Sequence, residues 1–122
     1  NIIGHVRGKN AIVFDDEVDT ASTLMEAVHV LERGGVLRVW ACVTHAVLSP
    51  PAVECIRASG ILQELVVTNT VYLPPEKHVD KITVLSVAPL LGDVIDSIHR
   101  GKSVGAAMAK YDEGYGIRGG SE

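Results

Sequence analysis

The stretch that decides the fold runs from Ala11 to Leu24, AIVFDDEVDTASTL. An unbroken apolar run, Ala11 to Phe14, meets Asp15, Asp16, Glu17 and Asp19, and small hydroxyl residues follow. Such a run reads as a short strand buried on both faces. From Thr20 to Arg33 the spacing becomes helical. Leu24, Ala27, Val28 and Leu31 fall on one face, and Gly34-Gly35 supplies the stop.

Outward from this stretch the same alternation continues. Ile2 to Val6 reads as a short strand, and Arg7-Gly8-Lys9-Asn10 as a turn. Leu37 to Val43 is the next buried strand, and Pro50-Pro51 opens a helix to about Ser59. Leu65 to Thr68 is a third strand, Tyr72 to Asp80 a polar loop, and Ile82 to Val87 a fourth extended segment. Pro89 opens a last helix with Leu91, Val94, Ile95 and Ile98 on its apolar side and Gly101 after it. Alternation of this kind implies an α/β fold, a mostly parallel sheet flanked by helices. Residues 1–108 form the expected domain. The polar, Gly-rich segment 109–122 reads as a mobile or interface-forming tail.

The 122 residues suit one ordinary domain. At 47% apolar and 4% aromatic residues, Val, Ile, Leu and Ala must fill the core. A net charge of −4 and the lack of any basic run argue against nucleic-acid or anionic-membrane binding. No apolar stretch approaches the roughly 18 residues of a membrane span. Cys42 and Cys55 both lie in apolar segments, which fits a reducing, cytoplasmic setting better than a disulfide framework. The chain opens on Asn1 within an apolar pattern, as a processed or partial polypeptide would.

In open parallel sheets ligands sit beyond the carboxyl ends of the strands, where Asp15, Asp16 and Asp19 are expected. Thr20, Ser22 and Thr23 are expected at the mouth of the following helix, whose unpaired amides and partial positive charge suit a phosphate. The carboxylates repel a phosphate but accept hydrogen bonds from sugar hydroxyls or help hold Mg²⁺. One loop can therefore take both ends of a sugar phosphate. The plainer alternative is a helix cap, with Asp19 or Thr20 as N-cap and a solvated acidic turn.

The stretch DDEVDTAST, Asp15 to Thr23, resembles the ribose-phosphate loop of type I phosphoribosyltransferase folds, Asp-Asp-x-x-Asp-Thr-x-Gly-Thr. Three further segments are more specific: VWACVTHAVLSPPAVECI from Val39, ELVVTNTVYLP from Glu64 and KITVLSVAPLLGDVIDSIHRGKSV from Lys81. Together they resemble the carboxy-terminal half of ribose-phosphate pyrophosphokinases, the phosphoribosyl pyrophosphate synthetases. The likeness spans roughly Asn1 to Val104.

The resemblance implies a type I phosphoribosyltransferase-like fold. It also implies conversion of ATP and ribose 5-phosphate to AMP and phosphoribosyl pyrophosphate with Mg²⁺, in a homo-oligomer. By motif, Asp15 and Asp16 would face the ribose hydroxyls and a metal-bound water, and Asp19, Thr20, Ala21, Ser22 and Thr23 would wrap the 5-phosphate. Ser22 stands where the family usually has Gly. The family's catalytic Lys and Arg lie on a loop before the segment matching Asn1, so no catalytic residue is assigned to this chain. It would be the sugar-binding half of an enzyme whose amino-terminal half is missing, and inactive alone. A non-catalytic synthetase-associated subunit is the second reading, and a base-transferring phosphoribosyltransferase the third.

The remaining candidates are weaker. His45 reads as a hydrogen-bonded residue at a strand end, and Thr68, Asn69 and Thr70 as a turn or pocket support. His5, His29, His78 and His99 lack metal-ligand spacing. Ser103 lies near a regulatory phosphate site of some family members and is the allosteric candidate.

Overall fold

The computed structural model describes residues 2–112. The expected strand at Ala11–Phe14 runs on through the acidic residues, so that β1 spans Asn10–Val18. It pairs in parallel with β2, Arg38–Ala46, and the ladder persists to Asp15 opposite Val43, Glu17 opposite His45 and Val18 opposite Ala46. The acidic side chains do not end the strand because its bonds are made by the backbone, while the carboxylates stay exposed. β3, Leu62–Thr68, and β4, Ile82–Leu85, complete a parallel sheet in the order β1-β2-β3-β4. Helix α1, Ser22–Arg33, joins β1 to β2, and α2, Ala52–Ala58, joins β2 to β3. A single 3₁₀ turn, Pro75–Lys77, interrupts the loop before β4.

Strand order equal to chain order has a direct consequence. Right-handed crossovers that always step the same way leave the connecting helices on one face of the sheet. The register aligns Ala11, Val39 and Leu62, then Val13, Ala41, Leu65 and Ile82, on the covered face. There they pack with Leu24 and Val28 of α1 and Val53 and Ile56 of α2. The alternate residues form the opposite face, and burial on both faces, expected from the apolar runs, is not found there. Phe14 is 76% exposed, Ile12 60% and Leu85 50%.

Three other expectations change. Ile2 to Val6 is not a strand; it crosses the end of α1, where a Cβ on Gly34 would lie 2.8 Å from Ile2 Cδ1 and 3.0 Å from Val6 Cγ2. Gly34-Gly35 does stop α1, with Gly35 at φ 86 and the Val36 amide turned back to the Leu31 carbonyl. Prolines 50 and 51 precede α2 rather than forming its first turn, and Lys81 Nζ donates to the Ile56 and Ser59 carbonyls at its far end.

The chain divides into two compact units, the second beginning at Val87. In the second, α3 spans Ala88–His99 and α4 Val104–Asp112. The expected apolar side of α3 is not a buried one: Leu91, Ile95 and Ile98 are more than half exposed, whereas Ser97 is buried. Helix α4 occupies Ala109 to Asp112, where a tail was expected, and residues 113–122 lie outside the described residues. Lys110 Nζ and the Tyr111 hydroxyl both donate to Asp93 Oδ2, at 2.8 and 2.9 Å. These bonds lower the Asp93 pKa and raise those of Lys110 and Tyr111. The link therefore weakens as pH falls through the depressed Asp93 value, and again as pH rises through the raised Tyr111 and Lys110 values. No helix among the described residues is long and apolar enough to cross a membrane.

Leu65 is fully buried in β3, between β2 and β4. Leu65→Ala is expected to cost about 2–5 kcal/mol of stability in urea unfolding. A loss below about 1 kcal/mol would mean that the covered face is loosely packed.

Candidate functional site

The site is built where β1 hands over to α1. Val18 ends the strand, 3% exposed, and its carbonyl accepts the amides of Val47 (3.0 Å) and Leu48 (3.1 Å). That anchor fixes where the chain leaves the sheet. Asp19 and Thr20 follow, exposed, and Ala21 turns the backbone with φ 62 and ψ 7, 3% exposed. The first helical bond runs from the Met25 amide to the Ala21 carbonyl at 2.9 Å. Neither Asp19 nor Thr20 is the N-cap; Ala21 is, and it offers no side-chain cap. The amides of Ser22, Thr23 and Leu24 therefore sit in a first turn without a capping side chain. The Thr20 and Ser22 hydroxyls lie 3.1 Å apart at this mouth.

These residues enclose an open hollow of about 270 Å³. It is lined by Asp15, Glu17, Val18 and Asp19 together with Thr20 to Leu24. The hollow thus joins Asp15, Asp19, Thr20, Ala21, Ser22 and Thr23 in one place. Asp16 is not among its lining residues. Strand alternation puts it on the opposite face from Asp15, and its amide donates to Asp15 Oδ1 at 2.9 Å. Glu17 takes a place that sequence reasoning gave to Asp16. The two-residue period would have found it once the strand was known to continue.

The loop motif's Gly position is Ser22, yet the left-handed residue is Ala21. Ser22 is the first residue of α1, so a Cβ there meets no conformational penalty. Ala21 is the strained position, and its size matters because it is buried.

The carboxylates do not form a metal cage. Among the described residues no three His, Cys, Asp or Glu side chains converge to hold an ion. Asp15 and Asp19 fit Mg²⁺ only in the manner usual for that ion, where one or two carboxylates supplement waters and ligand oxygens. Behind the hollow, His45 lies opposite Glu17 in the ladder, and its Nδ1 bonds Thr70 Oγ1 at 2.8 Å. Thr68 and Thr70 donate in turn to the Thr44 carbonyl, at 2.7 and 3.1 Å. His45 is thus a tethered strand-end residue. Ser103 lies in the second unit, where its hydroxyl accepts the Ala106 amide at 3.3 Å at the start of α4.

Residues 1–108 match the family model described as the phosphoribosyl synthetase-associated domain. The chain belongs to this family. Among curated relatives, a ribose-phosphate pyrophosphokinase of Synechococcus elongatus is 49% identical over 104 residues, 85% of this chain and 31% of the relative. Its counterpart from Caldanaerobacter subterraneus is 52% identical over 104 residues, 85% of this chain and 33% of the relative. A solved structure, phosphoribosylpyrophosphate synthetase from Mycobacterium smegmatis, superposes with a TM-score of 0.77 at 38% identity. That match covers 81% of this chain and 33% of the solved one. The chain spans about a third of the length of these relatives. The α/β, type I phosphoribosyltransferase-like fold and the synthetase resemblance read from the sequence both hold.

Replacing Ala21 tests the turn. Ala21→Gly relieves about 1 kcal/mol of left-handed strain but gives up a buried methyl of about 0.8 kcal/mol, so urea stability should stay within about 0.5 kcal/mol of the parent. Ala21→Val should cost about 2 kcal/mol or more, because a β-branched residue is disfavoured at positive φ and overfills the site. A harmless valine would show that the turn is not held as described.

Proposed function

We propose that the hollow binds ribose 5-phosphate and that the chain is the sugar-phosphate-binding part of a ribose-phosphate diphosphokinase. The whole enzyme would convert ATP and ribose 5-phosphate to AMP and 5-phosphoribosyl 1-pyrophosphate. The observation that carries this reading is that the uncapped start of α1 lines the same hollow as Asp15 and Asp19. The names of the relatives support it.

In this reading the amides of Ser22, Thr23 and Leu24 and the hydroxyls of Thr20, Ser22 and Thr23 take the 5-phosphate, aided by the helix dipole. Asp15 and Asp19 accept hydrogen bonds from the ribose hydroxyls, with Glu17 beside them. Fixing both ends of the sugar holds its anomeric hydroxyl at one point, so that it can attack the β-phosphorus of ATP as the β–α bridging oxygen leaves with AMP. Mg²⁺, which Asp15 and Asp19 would help hold through waters, would supply charge neutralisation. Asp16 reaches the ligand only through water. Residues 1–108 form the domain, and the ATP site and the cationic catalytic residues come from the remaining two thirds of a longer, cytoplasmic, homo-oligomeric protein. Alone, the chain binds the sugar and does not turn over. Ser103, if regulatory, acts from the second unit.

Titration of ribose 5-phosphate into the chain, followed by the phosphorus chemical shift, tests the reading. Thr23→Val should weaken binding by about tenfold, one charge-assisted hydrogen bond. Asp19→Asn should weaken ribose 5-phosphate but not inorganic phosphate. No shift at millimolar ligand, or equal loss of both ligands in Asp19→Asn, would overturn the assignment.

A further inference from the structure

The Val18 carbonyl, which anchors the sugar hollow, is held by the segment between β2 and α2, and that segment has a restraint of its own. Lys77 Nζ donates to the Val47 carbonyl at 2.8 Å. The Val47 carbonyl and the Leu48 N–H are the two ends of one planar peptide unit. Lys77 therefore grips one end of a unit whose other end donates to Val18 at 3.1 Å. The Val18 carbonyl belongs in turn to the peptide unit that carries the Asp19 N–H. Lys77 is thus linked to the backbone of Asp19 through two rigid planes. A cationic donor also polarises the unit it grips, which strengthens the bond made at the far end.

Two further observations mark this unit as held in place. Leu48 has φ 51, and among the described residues Ala21 is the one other left-handed residue that is not glycine. Leu48 is buried against the anchor, and Ala21, also buried, lies just beyond it in the chain. A left-handed leucine is strained and persists where its surroundings fix it. Lys77 is itself well placed. It ends the 3₁₀ turn Pro75–Lys77, and its amide returns to the Pro74 carbonyl at 2.9 Å. The next residue, His78, donates from Nε2 to the carbonyl of buried Leu73 at 3.1 Å.

We propose that Lys77 is a positioning residue of the sugar site: by fixing the peptide unit between Val47 and Leu48, it sets the direction in which Asp19 leaves β1. The proposal rests on the functional reading above and deepens it. Lys77 is not among the residues that line the hollow, so it acts through the backbone. Lys81 supplies the contrast. It too donates to backbone carbonyls, those of Ile56 and Ser59, but at the far end of α2 and away from the Val18 anchor.

The test reads ribose 5-phosphate affinity by the phosphorus chemical shift and hydrogen exchange of the Leu48 amide by NMR. In Lys77→Met the affinity should fall about fivefold, the low end of coupling between sites. The Leu48 amide should exchange about tenfold faster relative to that of Val43, as local opening becomes easier. Lys81→Met should leave the affinity unchanged. In an Asp19→Asn background, Lys77→Met should weaken binding by less than about twofold, because the two residues act as one unit. Parental affinity in a folded Lys77→Met chain would overturn the proposal. So would an equal loss in Lys81→Met, or an undiminished effect in the Asp19→Asn background. If Lys77→Met does not fold, the parent decides: by reciprocity, saturating ribose 5-phosphate should slow Leu48 exchange relative to Val43, and an unchanged ratio would overturn the proposal. A parent chain that binds no ribose 5-phosphate would fault the functional reading. The Asp19 amide shift in Lys77→Met would then judge this one, and an unmoved Asp19 would overturn it.

Discussion

The ladder between β1 and β2 does not stop at the last apolar residue, and the site depends on that. Because pairing continues to Val18 opposite Ala46, the Val18 carbonyl is captured by two amides of the next segment. The chain can then leave the sheet in only one direction. It turns through a buried left-handed Ala21 and enters α1 with its first amides free of a capping side chain. The three events are one construction. Loosening the anchor would move the helix mouth and the carboxylates independently, and the hollow exists only while their separation is fixed.

Much of this was legible in the sequence, and the failures have physical causes. The helical spacing of Leu24, Val28 and Leu31 and the double glycine after Arg33 gave α1 its body and its end, because both signals are local. The beginning of α1 was misread because Asp19 and Thr20 are good caps in isolation. Here the strand anchor overrides them. The length of β1 was misread for the converse reason: carboxylates are poor strand residues, but backbone pairing tolerates them at an exposed end. Glu17 was missed for no other cause, since the two-residue period was applied to a strand drawn too short.

Burial was the least legible property. A continuous apolar run says that both faces of a strand want cover, not that the same stretch of chain provides it. Phe14 and Ile12 obey the first statement and fail the second. The motif residues are brought together. Six of the seven candidates line one hollow, and the exception, Asp16, is separated from Asp15 by the alternation of the strand alone. Ser22, which departs from the motif's glycine, proves to be a helix residue with ordinary geometry, so the departure leaves the turn unharmed.

Strand order equal to chain order also shapes the folding pathway. Every strand pairs with its neighbour in sequence, so each loop to be closed is short and no strand waits for a distant partner. The sheet can be assembled one strand at a time, by two β-α-β steps and then the loop that carries the 3₁₀ turn to β4. In a stretch built in this way the polar end is shaped by residues that lie close together in sequence.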